Sequence, residues 1–440
     1  MKEITTDKFF NTQYRQYSNY DNERSIANLV DGLKTAQRKV LYTCAEKNIN
    51  SEYKVAQLGS LVANFTQYHH GEQNLSNVIT NLAQSFVGTN NQNYLTPLGQ
   101  FGSRLSPIPA SPRYIFTHLS KNFRKFFKKD DDIILEYLYE DEDQIEPKFF
   151  IPILPGILLN SSQGIGTGFA SFILARNPIE VSNYIKAKLN KIPVSAKFLP
   201  YFKNFKGSIS HLEETKYQIQ GVFVRVSNTQ IKITELPVGM YLDDIKKRLN
   251  SLIDSGYIKD YDDNSTEESF DVDVYFQRGN LANIDDVDLL DKLKLSTTLT
   301  ENLTCWLDNG KLKKFNNVTE IIDYFVEFRL TKYSQRIDKL IEISDRNIKL
   351  LSEKIRFINF YLDNVDKFKN SGKKDLDIVL KNESFDSSML DLKMYNLTLD
   401  KITELNDALK KLVKQRAKLL KTKNIDLYLS ELGNCDDIMV

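Results

Sequence analysis

The sequence predicts an α+β multidomain fold ending in a long antiparallel helical arm, and three successive changes of pattern along the chain predict it. Residues 1–155 mix short amphipathic helical stretches with Gly- and Pro-punctuated connectors, residues 156–317 carry alternating strand patterns, and residues 318–440 show long heptad-like apolar spacing. A chain of 440 residues holds two to four domains with ample cores.

In the first region, Ser25–Lys47 and Leu75–Phe86 read as helices, and Leu95-Thr96-Pro97-Leu98-Gly99 reads as a connector. In the second, Gln218–Val226 and Gln230–Leu236 alternate as strands, Tyr241–Ser255 has helical spacing, and Phe270–Phe276 reads as a further strand. In the third, Tyr333, Ile337 and Leu340 lead to Leu351, Ile355, Ile358, Leu362 and Val365, and Ile402, Leu405, Leu409, Leu412 and Leu419 repeat the pattern. Between them lies a polar insert around Asn370–Asp391, which places a small globule at about 366–398. Apolar seams of that length need a facing seam, so an antiparallel coiled coil is expected; the periodicity alone also fits an ordinary helical bundle. There is no internal repeat and no low-complexity tract.

With 27% charged and 41% hydrophobic residues the composition is that of a folded protein, not a disordered one. The net charge of +1 gives no global sign of a polyanionic partner, so a nucleic-acid surface has to come from segregated charge. Arg104–Lys129 is basic and Glu136–Glu146 acidic, which is segregation of that kind. Cys44, Cys305 and Cys435 are too far apart for zinc spacing or a disulfide framework. With no signal peptide and no long apolar run, the expected location is a reducing cytoplasm, with no membrane partner.

The run Ala110-Ser111-Pro112-Arg113-Tyr114-Ile115-Phe116-Thr117 sets an arginine beside a tyrosine, with Lys121, Arg124, Lys125, Lys128 and Lys129 following. A phenol titrates near 10, so a tyrosine that attacks phosphorus needs cations to favour the phenolate and to hold the charge developing on phosphate. The phosphotyrosyl bond so formed keeps the energy of the broken backbone bond, which suits reversible breakage. With 22 tyrosines in the chain, this local sequence by itself also fits a packed side chain. Ile165, between Gly164 and Gly166 with Gly168 beyond, is poorly supported for core packing. Glycines let a backbone approach a ligand closely, and an apolar β-branched wedge can enter a base step and kink a duplex. The stretch lacks the Lys-Ser/Thr of a P-loop and the full dinucleotide fingerprint, so nucleotide binding is rejected there.

Several further segments stand in one order: Arg24-Ser25-Ile26-Ala27-Asn28 through Asp31-Gly32-Leu33-Lys34-Thr35-Ala36-Gln37-Arg38-Lys39, then Tyr68-His69-His70-Gly71-Glu72-Gln73, Ala83-Gln84-Ser85-Phe86-Val87-Gly88 and Gly99-Gln100-Phe101-Gly102-Ser103-Arg104. After Ser111-Pro112-Arg113-Tyr114 come Glu146-Pro147, Ile151-Pro152-Ile153-Leu154-Pro155, Gly164-Ile165-Gly166-Thr167-Gly168 and Ile233-Thr234-Glu235-Leu236-Pro237-Val238-Gly239. In this order and spacing the chain resembles the breakage-reunion part of type IIA DNA topoisomerases over nearly its whole length. The wording is closer to the eukaryotic and T-even phage enzymes than to gyrase. Its short length and its start just before Arg24 make it most like the medium subunit of a T-even-type phage enzyme.

The resemblance implies a winged-helix DNA-gate domain over 1–155, a tower-like α/β domain over 156–317, and a coiled-coil arm with a helical exit-gate globule over 318–440. It makes Tyr114 the nucleophile that joins a 5′ phosphate, with Arg113, Arg24 and His70 gathered on the scissile phosphate and the general base left open. Lys34, Arg38 and Lys39, whose other reading is a solvated basic helix face, would meet the DNA backbone together with His69 and Arg104. Ile165 would be the intercalating wedge. Thr35 stands where the family often has proline, and the connection from Arg104 to Arg113 is short.

No nucleotide-binding pattern is present, and no Glu plus Asp-x-Asp cluster precedes Arg24; Asp271-Val272-Asp273 has the local spacing but reads better as strand. No cofactor is therefore expected on this chain alone, Mg2+ coming through a partner TOPRIM domain and ATP through a partner ATPase domain. The implied partners are double-stranded DNA, a second copy of this chain and one or more ATPase/TOPRIM subunits. The implied activity is duplex passage with relaxation and decatenation, without the wrapping domain that supercoiling needs. Two other classes compete: a non-catalytic coiled-coil protein that bridges DNA, and a tyrosine-dependent nuclease or recombinase of the topoisomerase VI kind, which carries its own acidic cluster.

Overall fold

The computed structural model describes residues 4–434 apart from 371, 394 and 396. The chain divides into two compact units, one made of Met1–Arg329 with Glu431–Val440 and the other of Leu330–Ser430.

The first unit opens on a helical run whose last segment is α1 (Arg15–Ser25), followed by α2 (Thr35–Glu46). The expected single helix over 25–47 is thus two pieces: Ile26 is extended, and Gly32 sits at φ +69° with its missing Cβ facing the Gly156 backbone. α2 starts at Thr35 because the Lys34 backbone N–H donates to Gln37 Oε1 at 2.9 Å. Thr35 occupies the first helical position, where proline is equally at home, and its hydroxyl donates to the Glu23 carbonyl at 3.2 Å. Two further helices, α3 (Val55–Phe65) and α4 (Glu72–Ala83), pack on each other and α4 packs on α2. Beside them lies a three-stranded antiparallel sheet of β1 (Tyr53–Lys54), β2 (Leu95–Leu98) and β3 (Phe116–Leu119), with β3 in the middle. A hairpin of β4 (Ser162–Gly166) and β5 (Phe169–Ile173) then lies along α1.

The alternation read over 218–226 and 230–236 is real but contains a break. Seven strands follow: β6 (Ser208–Glu213), β7 (Lys216–Gln220), β8 (Val222–Ser227), β9 (Gln230–Glu235), β10 (Ile258–Asp263), β11 (Val272–Phe276) and β12 (Ser296–Thr300). Gly221 separates β7 from β8, where a Cβ would stand 2.3 Å from the Glu235 carbonyl oxygen. The strands form a sheet in the order β8-β9-β11-β10 and a second in the order β12-β7-β6. Helix α5 (Leu242–Asp254) puts Leu242, Ile245, Leu249 and Leu252 on one face, and they bury with Ile231, Ile233, Val272 and Val274. Asp273 lies in β11 and Asp271 just before it, and Lys232 engages the two at 3.6 and 2.7 Å. Cys44 and Cys305 are buried thiols, pushed up to about 12 by desolvation; Cys435 lies outside the described residues.

Helix α6 (Val318–Asp363) runs from the first unit into the second, which also contains α7 (Leu399–Leu419). The two helices run antiparallel in the second unit: Arg416 pairs with Asp345, while Asn424, just past α7, donates to Ser334 at 3.0 Å. On α7, Ile402, Leu405, Leu409, Leu412 and Leu419 are all half-buried. Phe357, Leu380, Phe385 and Met389 make the apolar core of a small helical cluster.

Candidate functional site

Tyr114 sits in the turn that leads into β3, and its surroundings hold the backbone while leaving the side chain out. The N–H of Ala56 donates to the Pro112 carbonyl and that of Val55 to the Ile115 carbonyl, both at 3.1 Å, so the first turn of α3 grips both sides of the tyrosine. The Tyr114 ring is 70% exposed, and the Arg113 guanidinium lies 5.9 Å from its centroid. Of the basic residues that follow, Arg124 is held by Asp132 at 2.9 Å.

Arg24, Lys34, His69 and His70 come together around one cavity of about 450 Å³. Arg24 is in the last turn of α1, Lys34 caps α2, and the histidines precede α4. Among the described residues the Arg24 guanidinium has no ion-pair partner. Lys34 donates to the Gln163 carbonyl at 2.7 Å, and burial lowers its pKa from the ordinary 10.5. His69 faces Glu140 at 2.8 Å. His70 is pulled below 6.5, first by desolvation and then by the nearby charges of Arg24 and His69. A cavity with these donors has the character of a phosphate site.

The cavity and Tyr114 stand apart within one chain. The Tyr114 turn binds the start of α3, whereas the Tyr68 N–H returns to the Ala63 carbonyl near the end of α3, just before His69 and His70. The two segments are thus anchored toward opposite ends of α3, a helix of eleven residues about 16 Å long.

Ile165 is 78% exposed on β4. The glycines beside it have a different reason from the one expected. A Cβ on Gly164 would lie 1.8 Å from the Ser25 carbonyl oxygen, and one on Gly166 would lie 2.2 Å from Asn22 Oδ1. Side chains alternate along a strand, so the glycines let β4 lie flat on α1 and turn Ile165 outward. The close approach they permit is to a helix of this chain. Thr167 completes the clasp, donating to Asp21 Oδ2 at 2.7 Å and accepting from Asn22 Nδ2 through its carbonyl at 3.1 Å.

Three of the expected DNA-facing cations are placed by the structure against buried carboxylates. Arg38 donates to both oxygens of Asp31, at 2.7 and 3.2 Å. Lys39 donates to Glu146 at 2.8 Å and to the Thr66 carbonyl at 2.7 Å. Arg104 donates to Glu235 at 3.0 Å and to the Leu236 carbonyl at 2.9 Å. All three are largely buried, and Lys39 with Glu146 also lines the cavity that holds Arg24 and Lys34. Tyr20, which no sequence motif marks, lies one helical turn before Arg24 and lines the same cavity; its i, i+4 spacing to Arg24 is the signal the sequence carries. Among the described residues there is no group of three or more His, Cys, Asp or Glu that could hold a metal ion. Among them, too, no helix is long and apolar enough to cross a membrane.

Residues 24–433 match the family of the DNA gyrase/topoisomerase IV A-type subunits. The chain is 39% identical over 381 residues to the mitochondrial DNA topoisomerase 2 of Dictyostelium discoideum, covering 86% of this chain and 30% of that protein. It is equally 39% identical over 395 residues to the DNA topoisomerase 2-beta of Homo sapiens, covering 88% of this chain and 24% of that one. The chain therefore spans less than a third of the length of these relatives. The solved structure of the Plasmodium falciparum topoisomerase II DNA-binding, cleavage and re-ligation domain superposes with a TM-score of 0.92 at 33% identity, over 100% of this chain and 65% of that one. The mixed α/β architecture with its long helix is the fold of that domain.

Proposed function

Because the chain belongs to the DNA gyrase/topoisomerase IV A-type family, the breakage-reunion domain of type IIA topoisomerases, we propose that it breaks and rejoins duplex DNA through Tyr114. The exposed phenol of Tyr114 beside Arg113 is the observation that carries this reading. As the phenol gives up its proton, its oxygen attacks phosphorus, forms the 5′-phosphotyrosyl bond and breaks the bond to the 3′ oxygen, which takes up a proton, so no net proton is consumed. Reversal reseals the strand with no further energy source. Arg24, His70 and Lys34 receive the scissile and neighbouring phosphates, and Arg113 neutralises charge beside the nucleophile.

The separation along α3 supports a composite site. In a homodimer, Tyr114 of one copy meets the cavity of the other, giving one complete site for each DNA strand. Ile165 enters a base step and bends the gate segment. Residues 1–155 act as the DNA gate, 156–317 as the tower-like domain, and 318–440 as a coiled-coil arm whose globule at 366–398 closes an exit gate.

Duplex passage couples this chain to a partner that supplies the metal-binding TOPRIM and ATPase modules, with Mg2+ and ATP, and the outcome is relaxation and decatenation in the cytoplasm. The motif wording is shared by the eukaryotic and T-even phage enzymes, and we read the chain as a medium subunit of the T-even phage type. The test is to incubate the protein with those partners, magnesium and supercoiled DNA, quench with detergent, and map the covalent adduct. An adduct at Tyr114 that is lost in Tyr114→Phe is expected. Tight DNA binding without an adduct, under conditions where the partners are active, would instead support the non-catalytic bridging role.

A further inference from the structure

His70 is fixed by two tyrosines that contact it differently. Tyr68 meets it edge-on, with ring centroids 5.4 Å apart, but the Tyr68 hydroxyl is taken by Asn74. Tyr20 lies tilted against the imidazole at 5.9 Å, and its hydroxyl is hydrogen-bonded to His70 Nε2. Tyr20 and Arg24 stand four residues apart on α1 and both line the cavity, so one face of one helix carries both groups. Burial and the charges of Arg24 and His69 disfavour a positive imidazole, and the carboxylates Glu23, Glu140 and Glu146 line the same cavity. A neutral imidazole whose Nε2 accepts a hydrogen bond from a phenol carries its own proton on Nδ1.

We propose that Tyr20 is a positioning residue for the cleavage reaction: its hydroxyl occupies His70 Nε2, fixes the Nδ1–H tautomer, and so aims an N–H donor at the phosphate entering the cavity. The proposal rests on the phosphate-side role given to His70 above. It requires no movement of α1, because the group that turns the imidazole is already beside Arg24. Tyr20→Phe keeps the ring against His70 and removes only the hydroxyl, so the packing contact survives the change.

Histidine-selective ¹⁵N labelling of the full chain reads the tautomer directly, since the sequence has only four histidines. In the wild type, His70 Nδ1 should show the protonated type of resonance and Nε2 the unprotonated type. In Tyr20→Phe the pattern should revert toward the Nε2–H form that free neutral histidine favours. In the complex with its partner subunits and magnesium, Tyr20→Phe should slow adduct formation about tenfold, and it should add no further loss in a His70→Ala background. An unchanged pair of His70 resonances in Tyr20→Phe overturns the proposal, and so does an equal loss in the His70→Ala background. Wild-type adduct formation in His70→Ala alone would remove the role of His70 itself, and the proposal with it. Loss of the adduct in His70→Ala with no Tyr20 effect would leave that role standing and overturn only the proposal.

Discussion

Gly166 lies so close to Asn22 that a Cβ on the glycine would stand 2.2 Å from the Asn22 side-chain oxygen. The contact ties the hairpin bearing Ile165 to the helix bearing Arg24, so the wedge and the phosphate-side cations share one rigid support. Any shift of the hairpin is passed to α1 through this contact and through the Thr167–Asp21 hydrogen bond.

Substitutions on the two faces of β4 should therefore separate. Gly164→Ala forces a Cβ against the Ser25 backbone and should destabilise the fold by about 1–3 kcal/mol, as overpacking does. Ile165→Ala, on the open face, should leave stability within about 0.5 kcal/mol and reduce DNA bending. Thermal unfolding and fluorescence energy transfer across a doubly labelled duplex measure the two effects. A wedge variant that unfolds early yet bends DNA normally would contradict this division.

Tyr114→Phe should abolish the covalent adduct while leaving the melting temperature and duplex affinity unchanged, because the ring is mostly exposed and the change removes one oxygen. Adduct gels, calorimetry and a binding titration on one preparation decide it. A large loss of stability would mean that the hydroxyl has a structural partner.

Cations at the surface and cations in the core should differ in their salt dependence. Arg24→Ala and Lys34→Ala should each lower the slope of log affinity against log salt by about 1, the signature of one lost phosphate contact. Arg104→Ala should leave the slope alone but cost about 3–5 kcal/mol of stability, because it strands the buried Glu235 carboxylate. A slope change in Arg104→Ala would restore that residue to the DNA surface.

These contrasts show what could be read from the sequence and what could not. Helix and strand positions follow local periodicity, so α5, α7 and the strands near 230 and 272 stand within two residues or so of where the pattern puts them. The break at 26–34 depends on Gly32 meeting Gly156, and the one at Gly221 on the Glu235 backbone, contacts that no local window contains. Charge adds a second difficulty. Arg38 and Arg104 look like Arg24 in the sequence, and only their partners, seven residues away in Asp31 and 131 away in Glu235, mark them as internal.

Lys34 supplies a pH test. Burial lowers its pKa in the folded chain, which favours the neutral amine, so its charge is fully present only below that lowered value and is lost as pH rises through it. A bound phosphate stabilises the charged form. Duplex affinity should therefore begin to fall at a pH below the ordinary 10.5 of a lysine, and Lys34→Arg, which stays charged throughout, should hold its affinity over the same range. Parallel affinity curves for the two proteins from neutral to alkaline pH would show that Lys34 does not meet the phosphate.

The length of α3 between Tyr114 and His70 leads to a test by mixing. If each site joins the tyrosine of one copy to the cavity of the other, a heterodimer of Tyr114→Phe and His70→Ala chains has one intact site. The Tyr114 comes from the His70→Ala chain and the His70 from the Tyr114→Phe chain. The second site carries both lesions. Such a heterodimer, assembled with its partner subunits, should nick one strand of supercoiled DNA and leave the protein joined to it, while neither homodimer forms an adduct at a comparable rate. Were the site built within one copy, each half of the heterodimer would carry one lesion and no strand would be cut efficiently. Gel separation of nicked, linear and closed circles distinguishes the two arrangements, and a heterodimer no more active than the His70→Ala homodimer would place the whole site in a single chain.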